Sequence, residues 1–208
     1  MRVIRILAAL AVTAGVSACA TSEIATRNVP LDAAAMQPRA ALLNVQDVTV
    51  TVPRSLRVSE ANLYLPAGDI VWREDPKGDR YAQVQAIFEN GLRRGVAGMQ
   101  SGMPVGLHVE VRRFHALTEK ARYTVGGMHA IQFDMTLFDP ETGRALTEPR
   151  HVKANFKAYG GQKALDAEAQ GLTQKVRITQ HLAEVIQQEL ANPGAFKPAA
   201  NGVALALN

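Results

Sequence analysis

Val105-Gly-Leu-His-Val-Glu-Val-Arg-Arg-Phe114 is the stretch that decides the fold. Val105, Leu107, Val109 and Val111 fall on one side of an extended chain, and His108, Glu110 and Arg112 fall on the other. That is the period of two of a half-buried strand. Such a strand needs neighbours of the same habit, and the sequence supplies them. Downstream, Tyr123 to Phe138 alternates with Ile131, Phe133, Met135 and Leu137 inward, and Gly126–Gly127 reads as a bulge. Asp139-Pro-Glu-Thr-Gly143 is a turn, with Pro140 fixing φ and Gly143 free to take a left-handed conformation. Val152, Ala154, Phe156 and Ala158 continue the inward face on the returning strand. Upstream, Val48, Val50 and Val52 alternate with Asp47, Thr49 and Thr51 as far as Pro53. Asn62–Leu65 and Ile70–Trp72 are short extended candidates.

The period changes to that of a helix twice. Asp79 stands as an N-cap before Val84, Ile87, Phe88, Gly91, Leu92 and Gly95, one face of a helix over 79–97. Gly91 and Gly95 cost helix propensity and are read as letting the helix approach the sheet closely. Leu165, Ala169, Leu172, Val176, Thr179, Ala183, Ile186 and Leu190 predict one long amphipathic helix, closed by Asn192-Pro-Gly194. The order β-α-β-β-β-α, with every element apolar on one face, predicts a two-layer α+β sandwich. An antiparallel sheet of about four strands would carry both helices on one side. Trp72, the sole tryptophan, reads as a core plug under a loop.

The chain has 208 residues, of which 47% are hydrophobic and 20% charged, a globular composition. Its first residues read differently from the rest. Arg2 and Arg5 begin a basic segment and an apolar run follows to Val16, too short to span a bilayer. Val16-Ser-Ala-Cys19 comes next and holds the only cysteine. This predicts a signal peptide over 1–18, a tether over 19–43, an α+β domain over 44–191 and a loose tail over 192–208. Losing Arg2 and Arg5 with the signal lowers the formal charge from +4 to +2. That is too small to argue for a nucleic-acid partner.

Val16-Ser-Ala-Cys19 resembles the lipobox of bacterial lipoproteins, with Val16 in place of the usual leucine. The resemblance implies cleavage before Cys19, a diacylglyceryl thioether on its sulfur and an acyl chain such as palmitate on its new amine. Two or three such chains anchor firmly where one does not. No other cofactor is expected. Ala20, where an aspartate would favour retention in the inner membrane, implies the inner leaflet of the outer membrane, facing the periplasm.

No catalytic grouping emerges. Cys19 is committed to lipid, and Gly-x-Ser-x-Gly, phosphate-loop and dinucleotide motifs are absent. The five histidines lack metal-ligand spacing. A site built on His108 and His151 would need Glu110 or Asp134 as a third ligand. Glu74, Asp75 and Asp79 read as a helix-capping turn rather than a calcium loop. The sequence therefore predicts a protein that is not an enzyme. The outer face of the sheet, with His108, Glu110, Arg112, Gln132, Asp134, Lys153 and Lys157, reads either as a plain wet surface or as a docking face for a partner protein. Thr136 and Asn155 belong to the same face.

Ile70-Val-Trp-Arg-Glu-Asp-Pro76, Phe88-Glu-Asn-Gly-Leu92, Val109-Glu-Val-Arg-Arg-Phe114 and Phe133-Asp-Met-Thr-Leu-Phe-Asp139 resemble small envelope lipoproteins that serve transport systems. The resemblance, over roughly 45–190, is nearer the auxiliary lipoproteins of ABC-type lipid transporters than the lipopolysaccharide-assembly lipoprotein. An uncharacterised family of the same architecture fits equally. It implies an accessory or docking component of an envelope complex and transfers no site residue. A lipid carrier, with a cavity between helices and sheet opened by Gly91, Gly95, Ala169 and Ala183, is the alternative.

Overall fold

The computed structural model describes residues 42–192 and 195–200. Cys19, the signal, most of the tether and the end of the tail lie outside the described residues.

Two long strands form the centre of the sheet: β3 (Met103–His115) and β4 (Gly127–Phe138), paired antiparallel from Gly106↔Phe138 to His115↔Ala130. Each is flanked by two shorter strands placed end to end. Along β3 run β1 (Leu43–Thr51) and β2 (Ile70–Val71), both parallel to it. Along β4 run β5 (Arg150–Lys153) and β6 (Phe156–Ala158), both antiparallel. The result is an open, mixed sheet of six strands. It corrects the expected four-stranded antiparallel sheet. The reason is the connection: the chain leaves β1, passes through β2 and α1 (Arg80–Val96), and returns as β3. A strand rejoined through a helix lies parallel to its partner. The returning strand, expected as one piece, breaks at Asn155, whose Oδ1 takes the Ile131 backbone N–H at 2.9 Å.

The inward residues are those the alternation marked: Val48, Val50, Val105, Leu107, Val109, Val111, Ile131, Phe133, Met135, Leu137 and Val152 are buried in one core. One irregularity keeps the pattern apolar. The register shifts between Val111 and Arg113, leaving Arg112 as a bulge. Without it the next inward position would be Arg113; with it, Phe114 enters the core. Gly126 and Gly127 sit at the turn entering β4, not in a bulge, and β4 begins at Gly127. Tyr123–Val125 therefore leave the strand, and α2 (Glu119–Arg122) fills the space before it. Of the two short extended candidates upstream, only Ile70–Val71 is a strand.

α1 forms as predicted. Asp79 Oδ1 accepts from the Tyr81 and Ala82 N–H groups at 2.9 and 3.2 Å, and Arg93 and Arg94 occupy the last turn, where the helix dipole favours cations. Phe88 meets Phe114 and Phe133 at ring-centroid distances of 6.0 and 5.6 Å, and Trp72 meets Phe114 at 5.7 Å. Each such aromatic pair adds about 0.5–1.5 kcal/mol to the area it buries. Trp72 is fully buried, and its Nε1–H donates to Asp75 at 2.8 Å.

The long C-terminal helix is two helices, α3 (Gln162–Ala169) and α4 (Gln174–Leu190). Gly171, at φ +76°, takes the left-handed conformation that ends the first, and Thr173 caps the second by accepting the Val176 N–H. The buried face of α4 is Ile178, Thr179, Leu182, Ile186 and Leu190, while Leu165 and Leu172 are exposed. Gly91 and Gly95 approach α4, not the sheet. A Cβ on Gly91 would stand 2.8 Å from Leu182 Cβ, and one on Gly95 would stand 2.3 Å from Ile186 Cγ2. Residues 195–200, expected in the loose tail, belong to the domain. Phe196 is buried, and Glu148 and Ala199 exchange backbone hydrogen bonds with Lys197 and Leu146.

Candidate functional site

The buried residues of α1 and α4 join the inward strand residues in one core, so the two long helices cover one face of the sheet. Among the described residues no helix covers the other face. Register orders it in rows. Thr49, His108 and Thr136 form the first, and the Thr49 hydroxyl lies 3.1 Å from His108 Nδ1. Thr51, Glu110, Asp134 and His151 form the second. Arg113, Gln132 and Lys153 form the third.

The second row sets two carboxylates, Glu110 and Asp134, directly opposite each other, an arrangement that repels. A cation resolves it. Arg112, displaced from the ladder, lays its guanidinium across both, with Nη1 2.8 Å from Glu110 and Nε 2.7 Å from Asp134. His151 Nδ1 meets the other Asp134 oxygen at 2.8 Å. Partial burial would raise the Asp134 pKa, but the hydrogen bonds from His151 and Arg112 outweigh it and hold the carboxyl below its ordinary value. Four side chains of the face, Glu110, Arg112, Asp134 and His151, are therefore joined in one run of polar contacts.

The structure thus brings His108, Glu110, Arg112, Gln132, Asp134 and Lys153 together. Lys157 stands apart, on β6 opposite Met128 and near the start of β4. His108 and His151 occupy different rows, and among the described residues no group of three His, Cys, Asp or Glu side chains is placed to hold a metal ion. Beside His108 a shallow apolar hollow runs over Thr136, Phe138 and Ala145. The Phe138 ring packs on Gly106, where a Cβ would stand 2.1 Å from it.

A second polar assembly, which periodicity did not reveal, gathers at the end of the sheet where β3 finishes. Glu74 and Asp75 do more than lead into the Asp79 cap. Glu74 accepts the Lys175 N–H at 3.0 Å near the start of α4 and pairs with Arg122 at 2.7 Å, and Asp75 pairs with the Lys175 ammonium at 2.9 Å. Arg122 also lies 3.2 Å from Glu168 on α3 and donates to the Tyr123 hydroxyl at 2.8 Å. Arg80, 4% exposed, pairs with Glu60 at 2.6 Å and donates to the Asp75 and Pro76 carbonyls, both at 3.1 Å. Arg73 joins Glu119 at 2.5 Å. These pairs tie the 60–80 segment to α2, α3 and α4. Buried arginines at 80 and 122 leave no trace in an apolar period, so the only signal was the density of charge over 73–80.

Next to this network His129 is 1% exposed and its ring lies 4.8 Å from that of Phe156, which in turn lies 4.2 Å from that of His181. Burial, with Arg177, His181 and Arg122 nearby, pushes the His129 pKa down to about 3. The unfolded chain, whose histidine takes a proton near pH 6.5, then binds more protons than the native state at any pH between those values. Stability held above about pH 6.5 is therefore lost as pH falls towards 3. We expect the unfolding free energy to drop by up to ~1.4 kcal/mol per pH unit below about pH 6 on account of this one group. Urea titrations of the wild type and of His129→Leu between about pH 6 and 4.5 test this. The variant should show the shallower slope, and equal slopes would refute a neutral buried imidazole.

No curated protein matches the chain. Solved structures similar to it include a minor lipoprotein from Acinetobacter baumannii, 14% identical with a TM-score of 0.39, covering 76% of this chain and 98% of that one. A Xanthomonas campestris protein of family DUF330 is 16% identical with a TM-score of 0.39, covering 72% and 84%. The PelC dodecamer from Paraburkholderia phytofirmans is 18% identical with a TM-score of 0.29, covering 69% and 90%. A family model spans nearly the whole of the described domain, matching residues 43–205, and the chain belongs to that family, the family of unknown function DUF6778.

Proposed function

We propose that this chain is a lipid-anchored, non-enzymatic lipoprotein of the bacterial envelope that docks through its uncovered sheet face onto a protein of a transport or assembly complex. The observation that carries the docking reading is the ordered face itself. His108, Glu110, Gln132, Asp134 and Lys153, from three strands, are set in register, and Arg112 and His151 both bond to Asp134, while the long helices lie on the opposite side. Pre-paired polar groups give up little freedom on binding and so suit a recognition surface. The anchor rests on the Val16–Cys19 motif behind a short apolar run. The proposal puts attachment on the lipid of Cys19, in the outer membrane's inner leaflet; among the described residues no helix is long and apolar enough to cross a membrane. The docking reading is preferred to the carrier alternative because Leu182 and Thr179 stand against Gly91, Ile186 and Ala183 stand against Gly95, and Ala169 is exposed.

Two measurements test the proposal. Cys19→Ser should move the protein from the membrane to the soluble fraction and abolish labelled palmitate uptake; unchanged fractionation sinks the anchor. In cells, chemical cross-linking should join the wild type to a defined partner, and Arg112→Glu with Lys153→Glu should lower that yield about tenfold or more, a loss of ~1.4 kcal/mol or above. Recovery of the monomer alone at every cross-linker length would overturn the docking reading.

A further inference from the structure

We infer that one water molecule is bound inside the domain beneath α3, hydrogen-bonded to Arg122 Nε, His129 Nδ1 and Glu168 Oε1. These three atoms are buried, and none has a hydrogen-bond partner among the described residues. Their residues come from α2, β4 and α3, and all three line one small cavity together with Ala164, Ala167 and Gln174. The cavity measures about 10 Å³, room for a single water molecule. Glu168 Oε1 does lie 3.2 Å from Arg122 Nη1, an ion-pair contact that leaves its hydrogen-bonding capacity open.

The chemistry of the wall selects the occupant. Arg122 Nε–H can only donate, Glu168 Oε1 can only accept, and the Nδ1 of a neutral imidazole accepts when its proton sits on Nε2. The ligand must therefore accept one hydrogen bond and donate two, from a single heavy atom. A cation would sit against the Arg122 guanidinium, with Arg177 also in the wall, and an anion would sit against Glu168. An apolar occupant would leave all three polar atoms unsatisfied. Water meets every requirement, and three bonds is the usual number for an internal water. Its structural consequence falls on α3. That helix sends only Ala164 and Ala167 into the interior and is bounded by Gly161 and Gly171, both at positive φ. The water adds a polar link from Glu168 to the sheet and to the end of α2.

Diffraction from crystals of the protein at atomic resolution tests this directly. The expected result is an isolated density peak about 2.7–3.2 Å from each of the three atoms, without anomalous signal. A dry cavity with these side chains in place, or a peak scattering anomalously as chloride, overturns the proposal. Oxygen-17 relaxation dispersion gives a second reading. The number of long-lived internal waters should fall by one when Ala167→Val fills the cavity, and an unchanged count in a folded variant also overturns it. The measurement on the wild type stands even where the variant does not fold.

Discussion

Gly95→Ala lowers the stability of the domain by about 1–3 kcal/mol, although alanine is the better helix former by about 1 kcal/mol. The sign follows from where the new methyl would go. It would lie 2.3 Å from Ile186 Cγ2, 2.6 Å from the Ala183 carbonyl oxygen and 3.0 Å from Ala183 Cα. Two of those three atoms are backbone, so α4 has to move as a body, and its displacement disturbs Leu182 and Leu190 in the same core. Gly91→Ala acts in the same direction, with closest approaches of 2.8 and 2.9 Å. Gly98 supplies the control. It follows the end of α1, has no positive φ and would place its Cβ in open space, so Gly98→Ala should lie within about ±0.5 kcal/mol of the wild type. Urea midpoints at constant m separate the three. A Gly95→Ala protein as stable as the wild type would mean that α1 and α4 are not packed through these positions.

Arg122→Met costs more, about 3–5 kcal/mol. The guanidinium is nearly sequestered, 11% exposed, between Glu74 at 16% and Glu168 at 26%. Removing it leaves two carboxylates facing one another with no cation between them, a larger penalty than the pair itself is worth. It also withdraws the donor to the Tyr123 hydroxyl and unfastens α2 from α3. Adding Glu74→Gln to the Arg122→Met chain should recover part of the loss, because it deletes one of the stranded charges. A double-mutant cycle read from urea unfolding measures that coupling. A loss below about 1 kcal/mol, the range of an exposed pair, would show the network to be solvated in solution.

Particular residues show what a one-dimensional pattern can carry. α1 was legible to within a residue because a cap at Asp79 and six apolar positions agree on one phase. The inward faces of β1, β3 and β4 were legible for the same reason. Alternation, however, says which side a residue faces and nothing about which neighbour it pairs with, so the parallel direction of β1 could be had only from the crossover through α1. The C-terminal helix reads as continuous in sequence because Leu165 and Leu172 keep the phase of α4 across the break, and only Gly171 marks it. Both leucines are exposed, so their apolarity says nothing about the core. The outer face was legible as a set of residues but not as a lattice. Arg112 bridges Glu110 and Asp134 from a bulged position, and a bulge has no signature in Val-Glu-Val-Arg-Arg-Phe beyond the arginine doublet.

The parallel pairing of β1 also fixes when the sheet can be finished. Thr49 meets His108 at a sequence separation of 59, whereas β3 folds back on β4 after a short excursion through α2. Closing the larger loop costs more entropy, and contacts so distant along the chain form slowly. Among the described strands, the first to be synthesised is thus expected to join after the β3–β4 pair has formed. Until then Val48, Val50 and Val52 are bare and open to pairing with other strands. Pulse-labelled hydrogen exchange during refolding should protect the amides of Val109 and Met135 before those of Val48 and Val50, and protection of all four at once would contradict this order.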